Sequence, residues 1–107
     1  MKNKMTLAKD DPTRALFIMD GDYMQPFIRA GEAVRVAFTL PAIGQCGLFR
    51  AGGETLVRQY CEDSFGNIYL FVLDRTQPQL DRRFPPDAPP VCLGTLLLDK
   101  TPPLPLY

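Results

Sequence analysis

Short apolar runs rich in Val, Leu, Ile, Phe and Tyr recur about every dozen residues along this 107-residue chain, each bounded by Gly, Pro or Asp. Runs of that length and spacing suit β-strands better than helices. The strand candidates are 14–20 (RALFIMD), 33–39 (AVRVAFT), 46–50 (CGLFR), 54–62 (ETLVRQYCE), 67–73 (NIYLFVL) and 91–99 (VCLGTLLLD). Between the third, fourth and fifth lie two short Gly-bearing connections, RAGGE and EDSFGN. Such connections favour hairpins, so these three strands are expected to form an antiparallel meander. The fold class read from the pattern is mainly β.

Helix signals are sparse. The best is DYMQPFI, where Asp22 is placed to cap a turn and Pro26 to sit in its first turn, giving one short helical turn at about 22–28. Seven of the eleven prolines cluster late, in RRFPPDAPPV and TPPLPLY. They lack backbone donors and favour extended chain. The first cluster is expected to cross the outside of the sheet to reach the last strand, and the second, 101–107, to fray. Residues 1–13 read as a flexible N-terminal extension, leaving 14–100 as one domain with no internal repeat.

Twelve basic and twelve acidic residues give no net charge, so the concentrated positive face used for non-specific nucleic-acid binding is missing. No apolar run approaches a membrane span, and the basic start MKNKMTLAKDDPTR has no apolar core of a secretory signal. Cys46, Cys61 and Cys92 have no CxxC spacing and sit inside apolar stretches, as buried small hydrophobes do. A reducing cytoplasm is the corresponding expectation. The chain has no histidine and a single serine, Ser64. That removes Ser-His and Cys-His catalysis and most zinc sites, and the reading assigns neither metal nor cofactor. RAGGE lacks the lysine and helix of a phosphate-binding loop and reads as a hairpin turn.

In strand 54–62, Leu56, Arg58 and Tyr60 face one way and Val57, Gln59 and Cys61 the other. Arg58 thus stands among apolar neighbours and calls for a specific partner. Upstream, GDYMQP between two apolar runs has the form of a rigid turn presenting one side chain, Tyr23.

The order of these features resembles the LexA-like peptidase family, which includes UmuD-like proteins and phage-repressor C-terminal domains. LFIMDGDYMQPFIRAGEAVRV is similar to its Gly-Asp-Ser-Met-x-Pro turn and following Gly-Asp/Glu-x-Val-x-Val strand, matching at Gly21, Asp22, Met24, Pro26, Ile28, Gly31, Glu32, Val34 and Val36. GQCGLFRAGGETLVRQY resembles the hairpin and strand that carry the family's lysine, and GNIYLFVLD and VCLGTLLLDK its closing strands, with Gly94 in the second. The resemblance spans about 14–100. It implies strongly bent antiparallel sheets and a Ser-Lys dyad in which a desolvated, neutral lysine takes the serine proton.

Here the serine position is Tyr23 and the lysine position Arg58. A phenol with a pKa near 10 offers little anion, and a guanidinium stays protonated. Ser64 falls in an expected hairpin tip, and the lysines fall at 2, 4, 9 and 100. Only 22 residues precede Tyr23, too few to hold the family's upstream self-cleaved bond. The resemblance therefore implies a pseudo-peptidase with no catalytic residues, in which Tyr23 and Arg58 stack or hydrogen-bond to close the old cleft. Met24, Phe27 and Ile28 read as core or dimer contacts, and Asp22 and Glu32 as turn formers.

Three functions follow as expectations. The first is a homodimeric regulatory module of a bacterial or phage repressor or SOS-type regulator, meeting DNA only through a helix-turn-helix elsewhere, and pairing through VCLGTLLLDKTPPLPLY. The second is an active LexA-like or signal-peptidase-like peptidase with an unorthodox site. The third is a peptide or small-ligand binder with Arg58 as carboxylate anchor.

Overall fold

A computed structural model describes residues 5–8 and 16–105. The architecture is one eight-stranded sheet. Its strands are β1 (Thr6–Leu7), β2 (Leu16–Ile18), β3 (Ala33–Ala37), β4 (Cys46–Ala51), β5 (Glu54–Glu62), β6 (Ile68–Phe71), β7 (Arg82–Phe84) and β8 (Val91–Leu96). A 3₁₀ turn, Pro78–Leu80, precedes β7, and no α-helix occurs among the described residues. The order is β2-β3-β8-β4-β5-β6-β7. All of these pairs are antiparallel; β1 alone runs parallel, to the start of β8.

The expected meander is β4-β5-β6. β4 and β5 pair from Cys46↔Gln59 to Ala51↔Glu54, leaving Gly52 and Gly53 as a two-residue turn at φ +57° and +83°. Two successive positive φ values match the twist of a hairpin and favour glycine at both positions. At the other end of β5, the Asp63 carboxylate accepts from the Phe65 and Asn67 amides and from the Tyr69 hydroxyl, fixing the turn that carries Ser64. The Asn67 side-chain amide, which also donates to Asp63 at 3.0 Å, and then these bonds hold the Asp63 carboxyl below the usual range.

Both faces of the sheet are covered. Leu48 and Phe49, Leu56 and Val57, and Cys92 and Leu93 are chain neighbours that fall in different core clusters, as period-two alternation requires. One cluster gathers Met19, Met24 and Ile28 over Leu48, Val57 and Leu93; the other gathers Met5 over Phe49, Tyr60 and Ile68. Cys46 and Cys92 are buried within them, and burial pushes their thiols up to about 12 and about 11. Cys61 is only half-buried.

The structure corrects several expectations. The sheet is not strongly curled: sharp bends need bulges or glycine kinks, and the β4–β8 register shifts only once, at Leu48/Phe49. Residues 22–28 form hydrogen-bonded turns rather than a helical turn, because Pro26, after a cis peptide bond, has no N–H to extend the ladder. Of RRFPPDAPPV, Arg82–Phe84 is a strand pairing β6, because its prolines begin only at 85. The remaining stretch returns the chain from the sheet's edge to its middle. Within 1–13, Thr6–Leu7 joins the sheet, while 1–4 and 9–13 lie outside the described residues. The C-terminal stretch is docked as far as Pro103: the Gln59 amide donates to the carbonyls of Pro102 and Pro103 at 2.8 and 3.3 Å. Residues 106–107 lie outside the described residues.

Candidate functional site

The site is built on the loop between β2 and β3. Two backbone bonds close its base, Met19 N–H to Glu32 C=O and Gly31 N–H to Met19 C=O, both 2.8 Å. Glu32 works as a turn former, its carboxylate accepting from the Arg29 amide at 2.9 Å. Gly31 takes φ +85°. The Met24 carbonyl accepts from both Phe27 and Ile28, and Met24 and Ile28 are sealed in the core. Phe27 and Pro26 stay exposed. The Asp74 amide donates to the Tyr23 carbonyl at 2.9 Å, and Gln77 reaches the Asp22 carboxylate at 3.3 Å. The loop is therefore anchored on both sides of Tyr23.

Those anchors aim the Tyr23 ring back over Gly21. A Cβ at Gly21 would come within 2.7 Å of the ring, so glycine is what lets the ring lie down. From the centre of β5, Arg58 places its guanidinium carbon 4.6 Å from the ring centroid. Residues 35 positions apart in sequence thus meet face to face. The Tyr23 hydroxyl donates to Asp20 Oδ1 at 2.9 Å. Burial, and then that bond to a carboxylate, push the phenol up to about 12, against the opposing pull of Arg58.

Arg58 is 5% exposed. Its Nε donates to the Leu80 carbonyl at 3.2 Å and its Nη1 to the Val57 carbonyl at 2.8 Å. Burial lowers its pKa, chiefly by penalising the charge, yet a guanidinium starts too basic to become a proton acceptor. Asp81, whose charge reaches Arg58, is already committed: it accepts both Arg75 Nη groups and the Val72 amide. Among the described residues Arg58 has no carboxylate partner within bonding distance.

The chemistry open to this arrangement is narrow. The phenol is held protonated at neutral pH, and the group above it cannot take the proton. A ring and a cation at 4.6 Å attract by roughly 0.5–2 kcal/mol, the upper end when desolvated. The described residues contain no cluster of His, Cys, Asp and Glu able to hold a metal.

Ser64 lies exposed at the β5–β6 turn and Lys100 beyond β8, neither contributing to this contact; lysines 2, 4 and 9 lie outside the described residues. Sequence reasoning missed Asp20, the Leu80 carbonyl and Arg82. Only Asp20 left a signal, its i,i+3 spacing from Tyr23. Comparison with protein-family models, with curated proteins and with solved structures finds no match.

Proposed function

We propose that this chain is a LexA-like domain without peptidase chemistry, acting as a self-associating regulatory module, as in a transcriptional repressor or SOS-type regulator. The observation that carries the reading is the Tyr23–Arg58 stack. It fills the two positions at which the resemblance would put a nucleophile and a base, and it leaves no mobile proton between them.

Self-association rests on the sheet edge. β8 is paired on both sides and has no free edge to offer, so pairing through VCLGTLLLDKTPPLPLY by strand addition gives way to β2. Among the described residues no strand covers the outer edge of β2. Leu16 and Ile18 are 54% and 58% exposed and sit opposite Arg35 and Ala33, so the four share a face. Phe27, Ala33, Arg35 and Leu97 line an adjoining hollow of about 470 Å³. An exposed apolar edge strand is a ready template for a second chain, and each buried Leu or Ile contributes roughly 1.5–3 kcal/mol. DNA contact belongs to another segment or a partner.

Sedimentation equilibrium is expected to give twice the 12.0 kDa chain mass at micromolar protein, and Leu16→Lys with Ile18→Lys to give the single mass. Prolonged incubation at mildly alkaline pH is expected to leave the chain intact. A monomeric wild type, or a fragment whose formation depends on Arg58, would refute the proposal.

A further inference from the structure

Arg58 has a second side that the Tyr23 stack does not use. With Glu54, Thr55, Leu56, Gln79, Leu80 and Arg82 it lines a cavity of about 410 Å³, within the range of small-ligand sites. We propose that this cavity binds a small monocarboxylate, with Arg58 as anchor and Arg82 as the second cation.

A nearly sealed arginine ordinarily meets a carboxylate, and Arg58 meets two carbonyls and a ring instead. None of these partners carries a full negative charge. Arg82 lines the same cavity, and its charge is felt at Arg58. Two like charges lining one hollow favour an anion between them. A guanidinium offers paired N–H donors in the geometry of a carboxylate.

Glu54 also lines the cavity and binds Arg82 at 2.9 Å. Two arginines against one glutamate leave a single excess positive charge. One carboxylate balances it, whereas a phosphate dianion would overshoot beside Glu54. Leu56 and Leu80 supply apolar wall for a short aliphatic body. The inference does not depend on self-association or on the missing peptidase chemistry.

Titration of the full chain, followed by amide NMR spectra, tests it with hexanoate, hexanamide and inorganic phosphate as probes. Hexanoate is expected to give saturable shifts confined to residues 54–58 and 79–82 in the millimolar range. Hexanamide, isosteric but uncharged, is expected to give none, and phosphate to bind more weakly than hexanoate. Arg82→Gln, at a half-buried position that leaves the Tyr23 stack intact, is expected to weaken hexanoate roughly fivefold. No saturation, an equal response to the amide, preference for phosphate, or unchanged affinity in Arg82→Gln would each overturn the proposal.

Discussion

Arg58 and Gln59 are adjacent on β5, point to opposite faces of the sheet, and are both buried. Each is satisfied mainly by backbone carbonyls. Arg58 takes those of Leu80, at the end of the 3₁₀ turn, and Val57. Gln59 takes those of Gly44, Pro102 and Pro103. The difference lies in what remains. Gln59 is neutral and fully sealed, with Oε1 unpaired among the described residues; it staples the C-terminal segment to the sheet. Arg58 carries a charge, a ring on one side and a cavity on the other. A strand covered on both faces can thus hold a polar side chain for anchorage, as at Gln59, or hold one poised toward a partner, as at Arg58.

The largest expected effect separates packing from charge at Arg58. Arg58→Ala removes the stack and leaves the Leu80 and Val57 carbonyls without their donor, costing about 3 kcal/mol in urea denaturation. Arg58→Met fills most of the same volume and removes a buried charge that lacks a carboxylate, so it costs clearly less. Equal losses in the two variants would mean that charge, not shape, dominates.

Next comes the staple. Gln59→Leu is expected to cost about 1–2 kcal/mol and to speed proteolytic removal of residues beyond 100, while leaving the Tyr23 ring environment unchanged. If the tail stays as protected as in the wild type, the three carbonyl contacts are not what docks it.

A smaller effect is read from pH. The Tyr23 phenol sits at about 12 when folded against 10.0 for the free group. The folded state therefore holds the proton more tightly. Its contribution is complete below about pH 10 and is lost as pH climbs toward about 12. Cys46 and Cys92 shift in the same direction, so the informative quantity is the difference between wild type and Tyr23→Phe. Tyr23→Phe keeps the ring, loses the bond to Asp20, and is expected to fall less steeply above pH 10. Parallel curves would mean that folding does not raise the phenol, by burial or by the Asp20 bond.

The same two regions show what the sequence made legible. Alternation along 54–62 separates Arg58 from Gln59 in the sequence itself, and β5 spans those residues. Gly-Gly between two β-rich runs identified the hairpin because few other residues accept that turn. The Tyr23–Arg58 contact is an expectation of the proposed LexA-like reading alone; neither periodicity nor composition links residues 35 positions apart. Contacts made by backbone oxygens were not, since any residue supplies a carbonyl; this hid the roles of Leu80, Pro102 and Pro103. β1 and β7 escaped notice because strands of two and three residues carry no periodicity. The flatness of the sheet is a property of register, to which composition is blind.

A double-mutant cycle on Tyr23→Leu and Arg58→Met tests most directly whether ring and guanidinium act as one unit. The structure predicts a coupling of about 1 kcal/mol, present at both low and moderate salt because Arg58 is nearly sealed. Losses that add to within about 0.3 kcal/mol would contradict it and reduce the two residues to independent neighbours.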